Sequence, residues 1–389
     1  MKQRNLLITN GTIYTPMEAI QQGYILISGG KIQAVGKGKP PRPDASTIVL
    51  EARGKLVLPG FIDIHVNGGG GSLTIDGTVD AIQNIAQAHA KFGTTAMLPT
   101  TISADDETLS NAVSAIAQAA ENPTGGASIL GIHLEGPFLN PAKGGAHRKE
   151  FLKSPSVEYF TTLYKRAKGE IRILALAPEL DGAIDLVKHV RQRGILVSLA
   201  HSDADYQKTR EAIDAGLQLC AHIFNAMPPL THRAPGPIGA FLTIENTFVE
   251  LISDGFHVHP AVMDLVIRAK GADRVILVTD AVNPAGTSMT AFTILGTQLE
   301  VRGNSCFAPD GSLAGSALTM NKAVKVIADT TTTSLADAVR MATLTPARLL
   351  GIDKDKGSLE VGKDADVVIA DPDLNVFTTI VQGLVVHQI

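Results

Sequence analysis

The sequence predicts an α/β protein, a (β/α)8 barrel joined to a small β-sandwich domain formed by both chain ends. Three observations carry this reading. Through the middle of the chain, short apolar runs alternate with segments of helical period, the pattern of parallel βα units. Eight such runs can be counted, enough to close a barrel. Runs of β-branched residues cut by Gly and Pro turns gather instead at the two ends.

In chain order, the first end offers Leu6–Thr9, Thr12–Tyr14, Tyr24–Ser28 and Thr47–Leu50, broken by Asn-Gly, Gly-Gly and the Pro40–Pro43 stretch. The eight barrel candidates follow: Phe61–Asn67, Thr95–Thr100, Ser128–Glu135, Ile173–Pro178, Ile195–His201, Leu219–Phe224, Val249–Phe256 and Val275–Asp280. Between them, Val79–Phe92, Ala183–Arg193 and Asp205–Ala215 have helical spacing. The segment Ala281–Gly315 is longer and contains strand-like Thr293–Val301, so a hairpin insertion near the barrel mouth is expected. Strand-like runs return in Asp366–Ala370, Asn375–Ile380 and Gly383–His387. The expected division is a sandwich made of 1–57 and 355–389 around a barrel of 58–354.

Composition agrees with this plan. A chain of 389 residues has room for one barrel, which takes about 250 residues, and a smaller module. Hydrophobic residues are 44% but aromatics only 4%, with no Trp, so the core must be aliphatic. A net charge of −4 without a basic run argues against nucleic acid or a membrane surface as partner. Cys220 and Cys306 give no disulfide framework, and Leu6-Leu7-Ile8 is too short an apolar run for a signal segment, so a soluble cytoplasmic chain is expected.

In a parallel barrel, chemistry gathers where strands end at the C-terminal face. Here His65 and Asn67, Glu135, Glu179, His201, His222, His257 and Asp280 all stand at or just past strand ends. Each alone reads equally well as a hydrogen-bonded strand end, but the recurrence points to one site. Glu135, His201 and His222 offer a carboxylate and two imidazoles from three strands, the donor set of a catalytic metal site with an open position. Asp280 closes a strongly apolar strand, which suits either a proton shuttle over the mouth or a cap on the next segment. His133, two residues before Glu135, shares its face and is expected deeper, as a hydrogen-bonded support.

Several motifs carry a resemblance. Pro59-Gly60-Phe61-Ile62-Asp63-Ile64-His65 resembles the opening barrel strand of the amidohydrolase superfamily, and Thr343–Ala347 with Gly357–Asp366 resembles its C-terminal signature. Within it, His133–Phe138, Ala200–Asp203, His222–Pro228, Asp254–His257 and Thr279–Ala281 are similar, in the same order, to the N-acetylglucosamine-6-phosphate deacetylases. The resemblance implies metal ligation by Glu135, His201 and His222 and makes Asp280 the catalytic acid and base. His147, with Ala146 beside it, is implied to polarise the acetyl carbonyl. Asn225, Ala226 and His257 are implied to hold the sugar phosphate, Arg233 to grip it from the neighbouring subunit of a homodimer, and Leu313, Ala314 and Gly315 to close over the sugar. Where many relatives carry His-x-His, this chain has His65-Val66-Asn67, the remnant of a second metal site, so one divalent ion is expected. Zn2+ is the first choice, with Fe2+, Co2+ or Mn2+ compatible with the same donors. The implied substrate is a phosphorylated N-acetyl amino sugar. The alternatives are another amidohydrolase, opening cyclic amides or deaminating bases, and a catalytically inactive barrel scaffold.

Overall fold

A computed structural model describes residues 5–389; residues 1–4, the start of the expected end module, lie outside the described residues. The barrel strands are Phe61–Val66, Thr94–Thr101, Ile132–Glu135, Ile171–Leu176, Leu196–Leu199, Leu219–Cys220, Phe248–Ile252 and Val275–Val278. Each pairs in parallel with the next, with Ser128–Ile129 as a detached first piece of the third. The ring closes where the Asp280 N–H donates to the His65 carbonyl at 2.9 Å and the Asn67 N–H to the Ala281 carbonyl at 2.8 Å. All eight expected strands are present. Their ends differ where side chains turn toward the mouth: the run expected to reach Phe224 leaves strand geometry after Cys220, because His222 and Phe224 take positive φ values of 26° and 77°.

The helices lie outside the ring, and several are started by side-chain caps. Thr78 accepts from the Ala81 N–H ahead of Val79–Ala90, Asp105 from Glu107 and Thr108 ahead of Asp106–Ala120, and Asp205 from Lys208 ahead of Tyr206–Asp214. Each turns an apolar stripe inward, such as Leu109, Ala112, Val113 and Ile116. The resulting core is dominated by Leu, Ile, Val and Ala, with Phe61, Phe138, Phe160 and Phe241 among its few buried rings.

Both chain ends meet in one eight-stranded sheet separate from the barrel. Its centre joins Leu56–Pro59 to Val367–Ala370 in antiparallel register. Ile8, Ile25, Ile32 and Val57 from the first end share one buried cluster with Val367, Ile369 and Ile380 from the second. Two strands, Lys31–Lys37 and Leu56–Pro59, went unnoticed in sequence because Gly and Lys interrupt one and Pro ends the other. The expected insertion is a four-stranded antiparallel sheet of Ala291–Ile294, Thr297–Arg302, Ser305–Phe307 and Leu313–Ser316. It meets the mouth where Ser316 bridges Ala281. Among the described residues no helix is long and apolar enough to cross a membrane.

Candidate active site

The polar residues at the strand ends converge at the C-terminal mouth, and the backbone is distorted to let them. His201, His222 and Asp280 all have left-handed φ, at 45°, 26° and 48°. Non-glycine residues seldom adopt that region, and three such positions around one mouth mark a site held by its surroundings.

Glu135, 3% exposed, is the hub. Its Oε1 lies 3.0 Å from His222 Nε2 and 3.4 Å from His201 Nε2, and its Oε2 lies 3.3 Å from His65 Nε2 and 3.6 Å from His147 Nε2. Burial opposes ionisation of Glu135, yet His65 and the bonds from His147, His201 and His222 hold it well below the usual carboxylate range. Burial first of all pushes His201 down to about 4, so this ring is neutral near pH 7.

Hydrogen bonds at the far ring nitrogens separate the histidines by role. His201 Nδ1 faces the Lys143 carbonyl at 2.8 Å, which only accepts, so a neutral His201 carries its proton there and presents a bare Nε2 lone pair. His147 is the opposite: its Nδ1 accepts the Ser103 backbone N–H at 3.1 Å, so its proton sits on Nε2. His201 is therefore built to ligate and His147 to donate. The Nδ1 of His222, buried, has no hydrogen-bond partner among the described residues.

Asp280 stands across from this group. Asn67 Nδ2 donates to its Oδ1 at 2.7 Å, and His65 Nε2 lies 3.5 Å from the same oxygen. Burial, helped by Glu135 and opposed by His65, raises the Asp280 pKa above that of an ordinary Asp, which favours reversible protonation. His65 is fixed from behind by Glu250, whose Oε2 lies 2.8 Å from His65 Nδ1 and also accepts the His222 N–H at 3.3 Å. His133 Nδ1 donates to the Ile64 carbonyl at 2.9 Å, the buried support expected of it. Sequence reading missed Glu250; its one signal is a lone carboxylate inside the apolar strand Phe248–Ile252.

The remaining expected residues are arranged less tightly. His257 is oriented by Asp254, whose Oδ2 lies 2.6 Å from its Nδ1. Leu313, Ala314 and Gly315 form the last insertion strand beside Asp280. Asn225 turns its amide back onto the carbonyls of His222 and Ile223 at 3.1 and 3.2 Å. Ala226 has a left-handed φ of 53° and accepts the Ser202 N–H at 3.1 Å. Ala146 and Arg233 are exposed, and no side-chain bond holds Arg233 among the described residues.

The donor set fits a divalent cation. Glu135 Oε1 lies 3.4 Å from His201 Nε2 and 3.0 Å from His222 Nε2; Glu135 and His201 also lie within 4.8 Å of the donor nitrogen of His147, and His65, His133 and Glu250 form a second such group. The second group is already satisfied at both Nδ1 atoms, whereas the first sets the bare Nε2 of His201 against a carboxylate oxygen. Two electron-rich atoms at that separation repel unless a positive charge lies between them.

The amidohydrolase family profile matches residues 56–386. The N-acetylglucosamine-6-phosphate deacetylase of Bacillus subtilis (strain 168) is 38% identical over 382 residues, 97% of this chain and 96% of the relative. The N-acetylgalactosamine-6-phosphate deacetylase of Escherichia coli O157:H7 is 38% identical over 335 residues, 86% of this chain and 89% of the relative. A solved structure of the N-acetyl-D-glucosamine-6-phosphate deacetylase of Mycobacterium smegmatis, a mutant in complex with N-acetyl-D-glucosamine-6-phosphate, superposes with a TM-score of 0.92 at 31% identity, covering 99% of this chain and 100% of that one. With the profile spanning the whole barrel and these relatives covering 86% or more of the chain, the protein belongs to the amidohydrolase family and groups there with the deacetylases of N-acetyl amino sugar 6-phosphates.

Proposed function

We infer that the chain hydrolyses the acetamide of N-acetyl-D-glucosamine 6-phosphate to D-glucosamine 6-phosphate and acetate. The observation that carries this reading is the convergence of Glu135, His201 and His222 opposite Asp280, in a chain grouped with enzymes named for that reaction. Glu135, His201 and His222 would hold one divalent ion, Zn2+ first among the candidates. When bound, it supplies Lewis acidity that strengthens a water nucleophile near neutral pH. Asp280, its affinity for a proton raised by burial, takes the proton of the attacking water and returns it to the departing nitrogen. His147, with its proton on Nε2, donates to the acetyl oxygen as negative charge develops there. Asn67 occupies the space of a second imidazole and donates to Asp280, which supports a single-ion site.

His257, Asn225 and Ala226 are assigned to the sugar phosphate. Arg233, exposed and without a side-chain bond among the described residues, is assigned to the neighbouring subunit's substrate, where its fork of donors suits a phosphate. Leu313–Gly315 border the sugar. The two-domain division at about residues 57 and 355 and a cytoplasmic setting complete the proposal.

The test is acetate release from N-acetylglucosamine 6-phosphate by metal-replete protein. Turnover that disappears on chelation and returns with Zn2+ supports the reading. Equal rates with unphosphorylated N-acetylglucosamine would favour another amidohydrolase reaction, and purified protein that retains no metal would favour an inactive scaffold.

A further inference from the structure

One cross-strand pair of the insertion sheet reaches the site from both of its strands. Ser305 and Ser316 are partners in antiparallel register and both are fully buried. On one strand, the Ser305 hydroxyl donates to Asp254 Oδ2, the oxygen that also faces His257 Nδ1. The other Asp254 oxygen accepts the backbone N–H groups of Phe256 and His257, each at 2.8 Å. Four donors on one buried carboxylate lock the His257 ring with Nε2 turned away from Asp254. On the facing strand, the Ser316 N–H donates to the Asp280 carbonyl at 2.9 Å and its hydroxyl to the Thr279 carbonyl at 2.5 Å. That strand also carries Leu313–Gly315. Gly315 has φ +71°, and a Cβ there would sit 2.8 Å from Val282 and 3.1 Å from the Asp280 carbonyl.

We propose that Ser305 and Ser316 are positioning residues that tie the phosphate-facing His257 to the proton carrier Asp280, so that contact at the phosphate is expressed in kcat. The inference rests on the reading of His257 as a phosphate contact. Asp280 holds a left-handed backbone that needs support, and its carbonyl is supported by the strand whose neighbour holds Asp254. Contacts remote from the reacting bond raise kcat only when they fix geometry at that bond. The pair does this across a single strand spacing.

Ser305→Ala separates this role from general packing. Asp254 keeps three donors in the variant, so His257 stays in place while the link to the insertion sheet is cut. With thermal stability recorded, kcat and KM are measured on N-acetylglucosamine 6-phosphate and on N-acetylglucosamine. The expected result is a kcat about tenfold lower on the phosphorylated substrate, with a fall of less than about threefold on the other. A change in KM alone, or an equal fall in kcat on both substrates, overturns the proposal. Should Ser305→Ala not fold, Ser305→Cys, which keeps the side chain's shape but is only a weak donor, decides by the same two ratios. His257→Ala is run in parallel: if it leaves the preference for the phosphorylated substrate intact, the phosphate reading itself fails. If that preference falls while Ser305→Ala keeps it, only the link is refuted.

Discussion

His147 and His201 face the same carboxylate with opposite proton placements, so losing them should fail in different ways. His201→Ala removes a bare lone pair and is expected to cut the metal content of the purified protein to a small fraction of stoichiometric. His147→Ala removes a donor and should keep the metal while lowering kcat by about a hundredfold; metal analysis beside steady-state kinetics reads both, and metal loss in His147→Ala would refute the assigned tautomers. His133 makes a different prediction. Burial first of all pushes it down to about 4, below the 6.5 of an unfolded His. The unfolded chain therefore binds a proton that the native one refuses between those values. The native state holds its full advantage above pH 6.5 and loses on the order of 3 kcal/mol as pH falls to about 4. His133→Asn, which keeps a donor near the Ile64 carbonyl, should flatten that part of the pH-stability curve in denaturant titrations. Residues such as Glu135, His201 and Asp280 were legible in the sequence because polar side chains ending apolar strands are conspicuous. Glu250 was not, since one carboxylate within an apolar strand does not reveal which histidine it serves. Ser305 and Ser316 were not either, because their relation exists only in the pairing of two strands.

Among the elements, the barrel strands were readable from their apolar runs, while their ends were not, because His222 and Phe224 leave strand geometry in order to aim the mouth. The end sheet was readable as strands, but its central partnership of Leu56–Pro59 with Val367–Ala370 joins segments too distant for local pattern to specify. A buried ionic cluster secures that sheet at its junction. Lys356 Nζ lies 2.7 Å from Asp366 and 2.9 Å from Asp364, and Asp364 also meets Lys31 at 2.7 Å. Burial raises the Asp366 pKa even against the pull of Lys356, so removing the lysine leaves that carboxylate stranded. Lys356→Met should destabilise the protein by about 3 kcal/mol or more, read as a lower denaturant midpoint, and should leave kcat of the folded fraction unchanged. A shift below about 1 kcal/mol would mean that water reaches the cluster.

For the molecule as a whole, the proposed reach of Arg233 into a neighbouring subunit's site has a test. Arg233→Ala and Asp280→Asn chains, each nearly inactive alone, should regain about a quarter of wild-type activity per subunit when co-expressed. Half of randomly mixed dimers would then contain one site with both residues intact. No recovery, with mixed dimers shown by mass, would place Arg233 in its own chain's site or outside any site.

The central pairing of the end sheet also constrains how the protein is made. As the ribosome extrudes the chain, Leu56–Pro59 appears early, but its partner Val367–Ala370 emerges more than three hundred residues later. Until then one edge of that strand stays open to aberrant pairing, and the nascent barrel lacks its anchoring flank. Translation that stalls before residue 367 should thus release a sticky product even when every barrel strand has been synthesised.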